Sequence, residues 1–185
     1  MASLPPFPIL LPLGIAAKRL DASDVADVTT FCRQCSAFFA LVADHSPPAE
    51  TARYLLESRP PGVELTHKHL IGFERGGEVI AIVDLLKGYP GEADWYVGLL
   101  IISPDERARG LGTAVWNAVE AWIRSEGGRH VRLIVQEQNP EAARFWRSVG
   151  FTDDRKVEQR LATRTNICWS FEKALRVPSP LADAH

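Results

Sequence analysis

The sequence has few cysteines and almost no net charge. These two absences argue against a disulfide scaffold and against nucleic-acid or membrane-surface partners. Three cysteines in 185 residues are too few for a disulfide scaffold, so we expect a reducing, cytoplasmic compartment. A formal charge of -2 at pH 7 lacks the basic surface that nucleic acid or a membrane surface usually requires, and we expect neither partner. The hydrophobic fraction of 46% is typical of a soluble globular protein.

The apolar start of the chain lacks the features of a signal peptide or a membrane helix. No basic residue precedes the run from Met1 to Ala17, and prolines interrupt it at Pro5, Pro6, Pro8 and Pro12. We therefore expect an N-terminal extension at residues 1–13, a single domain at 14–177 and a C-terminal tail at 178–185. A domain of that length can bury a sizeable hydrophobic core.

Hydrophobic periodicity predicts a strand, helices and a β-meander in the first half of the chain. Ile15–Leu20 predicts a strand, apolar residues at helical spacing run from Val25 to Val42, and Ala49–Ser58 predicts a second helix. Two β-rich runs separated by Arg75-Gly-Gly77 predict a hairpin. Trp95–Ile102 predicts a third strand, and its continuous apolar character indicates burial on both faces.

The second half predicts a parallel strand pair connected by a helix. An apolar stripe that begins at Leu111 predicts this helix, and Val131–Gln136 is expected to pair in parallel with the strand before it. Asn139 is the expected N-cap of a short helix, and Phe151 onward and Asn166–Lys173 predict an antiparallel pair. The predicted fold class is therefore α/β (α+β), a mixed, mostly antiparallel sheet of about six or seven strands flanked by helices.

The segment from Ser103 to Thr113 carries the strongest functional signal. It joins an apolar strand to an amphipathic helix, and its Gly110 and Gly112 let backbone N–H groups approach a ligand closely. The helix N-terminus adds partial positive charge, and Arg107 and Arg109 add full charges. We therefore predict a phosphate or pyrophosphate site in this loop.

A dinucleotide-binding site is the rival interpretation of this loop. Gly110-Leu-Gly112 opens a helix, and Glu137 lies near the end of the next strand. However, Val115 occupies the third glycine position, where a small residue is usually needed for close packing of helix on strand. The absence of Gly-Lys-Ser/Thr after the loop also excludes a nucleoside-triphosphate P-loop.

Two motifs resemble those of the GNAT superfamily of N-acetyltransferases. Arg107-x-x-Gly110-x-Gly112 matches its acyl-CoA pyrophosphate signature, Gln/Arg-x-x-Gly-x-Gly/Ala, and the run from Asn139 to Phe151 matches its second block. The resemblance covers roughly Ile15 to Leu175. It implies a metal-free enzyme that transfers an acetyl group from acetyl-CoA to a primary amine of a small molecule or a protein.

The resemblance also implies where acetyl-CoA would bind. Backbone N–H groups from Arg109 to Thr113 would hold the pyrophosphate, and the strand end at Leu100–Ile102 would pair with the pantetheine arm where two central parallel strands splay apart. The implied cofactor-binding residues are Leu100, Ile101, Ile102, Arg107, Arg109, Gly110, Leu111, Gly112, Thr113, Asn139, Phe145, Trp146 and Arg147.

The catalytic residues are less clear, because Trp146 stands where many family members carry an acidic Tyr, and an indole N–H has no useful acidity. Asp94 is the predicted base and Tyr96 the predicted proton relay or acid, since both share a strand face with Gly98 if no bulge intervenes. Asp84 on the neighbouring strand is a third candidate. Alternatively, Asp94 belongs to a turn and Tyr96 to the core.

The remaining features favour structural interpretations. Cys32-x-x-Cys35 lies alone in a helical stripe, so we interpret it as packing and expect no metal site. His67-Lys-His69 is expected at a strand start, exposed to solvent. A non-catalytic acyl-CoA-binding or sensing module is the alternative function, which the missing Tyr allows. Five tryptophans leave room for a homodimer contact.

Overall fold

A computed structural model describes residues 14–42, 48–161 and 164–175. The expected extension at 1–13 and tail at 178–185 lie outside the described residues. Within them the strands are β1 (Ile15–Arg19), β2 (Lys68–Arg75), β3 (Glu78–Lys87), β4 (Asp94–Ile102), β5 (His130–Gln136), β6 (Thr152–Arg160) and β7 (Thr165–Ala174). The helices are α1 (Val25–Gln34), α2 (Ser36–Val42), α3 (Pro48–Glu57), α4 (Leu111–Ser125) and α5 (Pro140–Ser148).

The strands form one mixed sheet in the order β1-β2-β3-β4-β5-β7-β6. β4 and β5 pair in parallel, as the connecting helix requires, and every other pairing of described strands is antiparallel. The structure thus confirms the predicted fold class and the predicted parallel pair.

Two hydrophobic cores lie on opposite faces of the sheet. The larger one packs α4 and α5 against the sheet through side chains such as Trp116, Val119 and Trp146. The smaller one packs α1 and α3 through residues such as Phe31 and Leu55. The sheet is therefore covered by helices on both sides, which leaves ligands to enter where its central strands separate.

The apolar face predicted from Val25 to Val42 is divided between two helices. α1 ends at Gln34, and the backbone N–H of Cys35 donates to the carbonyl of Phe31 at 3.0 Å. Cys32 and Cys35 are buried in the smaller core, and burial raises their pKa to about 12 and about 11, so both thiols stay protonated at neutral pH. The break at Cys35 lets α2 run separately toward the centre of the sheet.

Strand β4 is not buried on both faces, and that prediction is wrong. Asp84 and Leu85 on β3 pair with Leu99 and Val97, so Gly98 is an extra residue that forms a β-bulge. Gly98 itself is exposed. The apolar run therefore did not signal a fully covered strand, because part of it borders a cavity.

The bulge also changes which core each residue of β4 contacts. Before it, Trp95 and Val97 pack in the larger core. After it, Leu100 packs against the larger core, while Leu99 and Ile101 belong to the smaller one. The alternation of side chains thus shifts by one residue at Gly98.

The expectation that His67-Lys-His69 is exposed to solvent is wrong for two of its residues. His67 is exposed, but Lys68 and His69 are buried on opposite faces of β2. The His69 ring stacks on Trp95 at 5.6 Å and meets the edge of Trp122 at 5.2 Å. Its two ring nitrogens have no hydrogen-bond partner, and burial lowers its pKa to about 4.

Candidate functional site

The two parallel strands separate after three paired residues. β4 pairs with β5 only from Asp94 to Tyr96, opposite His130 to Arg132. β5 then continues to Gln136 along β7, while β4 continues along β3. The edge of β4 that faces β5 therefore has no strand partner from Val97 onward, so an extended ligand can pair there as an added strand.

A cavity of about 480 Å³ lies at the open end of this split. It is bordered by α2, the end of β4, the loop before α4 and the first turns of α5. The cofactor-binding residues predicted from sequence line it with the exception of Arg109 and Arg147; those that do are Leu100, Ile101, Ile102, Arg107, Gly110, Leu111, Gly112, Thr113, Asn139, Phe145 and Trp146.

The loop before α4 presents backbone N–H groups to this cavity. Gly110 is the N-cap residue of α4 and has φ of 77°, a left-handed conformation that favours glycine. The Ala114 N–H donates to the Gly110 carbonyl at 3.1 Å, so the N–H groups of the three residues between them have no acceptor within the helix. A Cβ on Gly112 would lie 3.4 Å from the Phe145 ring. This geometry suits an anion such as a pyrophosphate.

The three arginines near this cavity have different positions. Arg107 lines it, and its Nε donates to the carbonyl of Ile102 at 3.1 Å. Arg109 is exposed and does not line it. Arg147 also lies outside the lining and pairs with Asp153 at 2.8 Å. Arg107 is therefore the best placed of the three to contact a bound anion.

A second cavity of about 150 Å³ occupies the slot between the split strands. Phe38 and Val42 of α2 border it on one side, and Gly98, Gln136 and the following side chains border the rest. The other lining residues are Val97, Leu99, Leu100, Leu133, Ile134, Val135, Asn139, Ala142, Trp146 and Gln159. Among the described residues that line the slot, none is charged. The slot is thus apolar, with a few neutral amides.

Hydrogen bonds hold the end of α2 over this slot. Gln136 Nε2 donates to the carbonyl of Val42 at 2.6 Å and to Gln159 Oε1 at 2.8 Å. An Arg164 guanidinium nitrogen donates to the carbonyl of Leu41 at 3.0 Å. These donors satisfy carbonyls that a helix C-terminus leaves free, so α2 is fixed to β5 and to the β6–β7 hairpin.

Asp94 and Tyr96, the predicted catalytic pair, lie at the paired end of β4. Asp94 contacts His130 Nδ1 at 3.3 Å and Arg132 Nε at 3.8 Å. Tyr96 packs edge-on against Tyr89 at 5.8 Å, and burial raises its pKa to about 12. Neither residue lines either cavity. The structure therefore does not bring these two side chains to the slot.

Asp84 lines neither cavity, but it lies next to Gly98, which lines the slot. Its two carboxylate oxygens accept hydrogen bonds from Lys68 Nζ at 2.7 and 2.8 Å. A Cβ on Gly98 would lie 3.0 Å from Asp84 Oδ2, so the carboxylate is directly beside a residue that lines the slot. Burial raises the pKa of Asp84, and the neighbouring Lys68 charge opposes that rise.

Trp146 lines both cavities as part of an aromatic cluster. Its ring meets Phe145 and Trp116 at 5.1 Å and Phe151 at 5.0 Å. Only 6% of the residue is exposed. Trp146 thus shapes the junction of the two cavities but brings no acidic group there.

Sequence reasoning missed the burial of Lys68, which comes from a distant part of the chain. Lys68 was expected in solvent but is 3% exposed and pairs with Asp84. Phe38 and Gln159 line the slot from α2 and β6, outside the two acetyltransferase motifs. A lysine next to a predicted strand start was the one local signal for Lys68.

Two kinds of feature are absent from the described residues, a membrane-spanning helix and a metal-binding cluster. No helix within the described ranges is long and apolar enough to cross a bilayer. Within the same ranges, no group of three or more His, Cys, Asp and Glu side chains is arranged to hold a metal ion.

Residues 34–151 match the family model of the acetyltransferase (GNAT) family. A mycothiol acetyltransferase from Thermobispora bispora is 45% identical over 51 residues, which are 28% of this chain and only 17% of that protein. The crystal structure of an acetyltransferase from Thermus thermophilus superposes with a TM-score of 0.70 at 23% identity, covering 88% of this chain and 98% of that one. The ribosomal-protein-S18-alanine N-acetyltransferase of Escherichia coli gives 0.64 at 12% identity, with 92% and 99% covered. These structural likenesses support the fold.

Proposed function

Because the chain belongs to the acetyltransferase (GNAT) family, we propose that it transfers an acetyl group from acetyl-CoA to a primary amine of a small molecule or protein. The observation that carries the proposal is the cavity where the free N–H groups at the start of α4 meet the unpaired edge of β4. A cytoplasmic location, expected from the cysteine content, is part of the same proposal.

The chain fits acetyl-CoA through backbone groups more than through side chains. The N–H groups at the start of α4 and Arg107 would hold the pyrophosphate. The free edge of β4 beyond Tyr96 would pair with the pantetheine arm. Acetyl-CoA supplies an activated thioester, and a free N–H on that edge can polarise its carbonyl oxygen.

Among the carboxylates considered, proximity to Gly98, a residue that lines the slot, favours Asp84 as the base. Asp94 has charged partners at the other end of β4. In the proposed reaction the acceptor ammonium gives one proton to Asp84, directly or through water, and becomes a neutral amine. The amine nitrogen then bonds to the acetyl carbon. The carbon–sulfur bond breaks, and the electron pair of that bond leaves on sulfur. The remaining proton goes to the thiolate or to water.

The chain does not need an acid at the position of Trp146. An indole cannot protonate the thiolate, and Tyr96 is a weak donor because burial raises its pKa to about 12. A thiolate is a good leaving group since its pKa is low. We therefore propose that it leaves without direct protonation and takes its proton from the amine or from water.

The lining of the slot favours an amine carried on an apolar or neutral body. Its described walls combine aliphatic and aromatic side chains with neutral amides such as Gln136 and Gln159, and none of the lining residues is charged. A polycation would need carboxylates there. The names of similar proteins differ, a mycothiol acetyltransferase in one case and a ribosomal-protein-S18-alanine N-acetyltransferase in another, so they do not single out one acceptor.

A CoA-release assay tests the proposal. Wild-type protein is incubated with acetyl-CoA and, one at a time, hexylamine, 2-phenylethylamine, an alanyl peptide and spermidine, and free thiol is measured. We expect turnover with at least one of the first three and the slowest rate with spermidine. Trp146 in place of the acidic Tyr favours one alternative, a non-catalytic acyl-CoA sensor. Tight acetyl-CoA binding by calorimetry without thiol release from any amine would establish that alternative.

A further inference from the structure

Lys68 and Asp84 form a buried ion pair beside Gly98, a residue that lines the slot. We propose that Lys68 is a positioning residue, which keeps the Asp84 carboxylate ionised and directed past Gly98 toward the slot. The proposal rests on the proposed acetyl transfer. It gives a role to a lysine that neither of the two acetyltransferase motifs contains.

The geometry makes Gly98 an opening in β4. Asp84 pairs with Leu99, and the bulge inserts Gly98 next to the carboxylate without a partner on β3. Because Gly98 has no side chain, the space 3.0 Å from Asp84 Oδ2 stays free, and Gly98 borders the slot. Side-chain exposure of Asp84 is 14%, against 2% for Lys68. The carboxylate is thus the more accessible group of the pair, and the ammonium is the more deeply buried one.

The charges around Asp84 make Lys68 the group that controls its protonation. Lys68 of β2 bonds both carboxylate oxygens, while β4 presents Gly98 and Leu99 at this point. The helices over this face bury apolar side chains and cysteines. Arg19 of β1 donates to the Lys68 carbonyl at 2.9 Å and fixes its backbone. A carboxylate buried here without Lys68 would favour its protonated form.

A structural role alone predicts a different result from a role in proton transfer. If Lys68 only stabilised the fold, its loss would lower turnover by the same factor at every pH. If it keeps Asp84 ionised, its loss moves the acid limb of the profile to higher pH and turnover recovers there. A guanidinium in place of the ammonium keeps the charge, so in Lys68→Arg the acid limb should stay near its wild-type pH, although the larger head group lowers the maximal rate.

The test compares wild type, Lys68→Met and Lys68→Arg by two readouts. The first is the titration midpoint of Asp84 by 13C NMR of labelled aspartate carboxyls, assigned with Asp84→Asn, which requires no acceptor. The second is kcat against pH with the amine that the wild type acetylates fastest. We expect the Lys68→Met midpoint at least about one pH unit above wild type, an equal move of the acid limb, and Lys68→Arg close to wild type.

Three outcomes are informative. An unmoved Asp84 midpoint in Lys68→Met overturns the proposal, as does a uniform loss of turnover at all pH values. If Lys68→Met does not fold by circular dichroism, Lys68→Gln replaces it with the same expected shift. A shifted carboxyl in a protein that acetylates no amine would reject the proposed function while leaving the electrostatic control of Asp84 by Lys68 intact.

Discussion

The two ends of β4 have opposite properties. At the paired end, Trp95 is 1% exposed and packs against Trp122 at 4.9 Å, and Asp94 has His130 and Arg132 as partners. At the open end, beyond Gly98, the strand has no β5 partner among the described residues and borders cavities of about 150 and 480 Å³.

Burial alone does not distinguish a structural carboxylate from a candidate base. The side chains of Asp84 and Asp94 are 14% and 15% exposed, and both have cationic neighbours. The difference is that the atoms of Asp84 touch a residue of the slot, whereas those of Asp94 face His130 and Arg132 on β5. Proximity to a residue of the slot, rather than burial, therefore distinguishes the two carboxylates.

The largest expected effect comes from replacing Asp84 and Asp94 by asparagine, one at a time. Asp84→Asn should lower kcat by about 100- to 10,000-fold, the range for loss of a general base. Asp94→Asn should change kcat by less than about threefold, because it perturbs a partly solvated charge cluster. Steady-state thiol release at pH 7.5 measures both. A greater loss from Asp94→Asn would return the catalytic role to the paired end of β4.

The second effect concerns acid stability at the paired end. The pKa of His69 is about 4 in the fold against 6.5 unfolded, so the unfolded chain takes up a proton first as pH falls below 6.5. The contribution of neutral His69 to folding stability is fully present above pH 6.5. It is lost as pH falls toward 4, which lowers the free energy of unfolding by up to about 3 kcal/mol.

His69→Phe should remove this dependence, since a phenyl ring stacks on the same tryptophans without unpaired nitrogens. Urea unfolding of both proteins at pH 7, 6, 5 and 4 gives the difference in unfolding free energy at each pH. The difference should grow in favour of the variant as pH falls. A constant difference would mean that His69 is protonated in the fold or partnered by water.

A third, smaller effect comes from closing the opening in β4. Gly98→Ala puts a methyl group 3.0 Å from Asp84 Oδ2 and should reduce kcat/KM by about 10- to 100-fold through misplacement. Gly72→Ala is a matched control, because its methyl would also lie 3.0 Å from a neighbour, the side chain of Leu20 just after β1. The control should lower Tm with little change in kcat/KM. Equal kinetic losses in both variants would contradict a specific role for Gly98.

The smallest effect separates the two arginines of the loop. Arg107→Ala should weaken acetyl-CoA binding about five- to tenfold, since Arg107 lines the cavity. Arg109→Ala should weaken it less than about threefold, because Arg109, although exposed like Arg107, does not line the cavity. Isothermal titration calorimetry at two salt concentrations measures both. The reverse order would show that the loop turns Arg109 inward when acetyl-CoA binds.

Local sequence patterns predicted the strands, the parallel pair and the loop. Gly110 and Asn139 are informative because each acts where it stands, as an N-cap of a helix. The predicted parallel pairing of β4 and β5 followed from hydrophobic periodicity and from the helix that connects them. These features depend on neighbours in the chain, so one sequence sufficed for them.

The contact between Lys68 and Asp84 could not be predicted because it depends on strand register. A register shift at Phe73/Glu74 changes the partners along the β2–β3 hairpin, so counting back from the turn gives the wrong pairs. The bulge at Gly98 has no signal beyond a glycine within a strand. The prediction that Asp94, Tyr96 and Gly98 share one face depended on the absence of that bulge.

The bulge also means that β4 contains one residue, Gly98, that contributes no side chain to either core. With Gly98 omitted, Val97 would precede Leu99 directly, and the plain alternation of a strand would leave Val97 and Leu100 in the larger core and Leu99 in the smaller one, where they already lie. Neither core would lose a side chain. An insertion of one glycine is therefore enough to convert a purely structural hairpin into one with an opening to a binding slot.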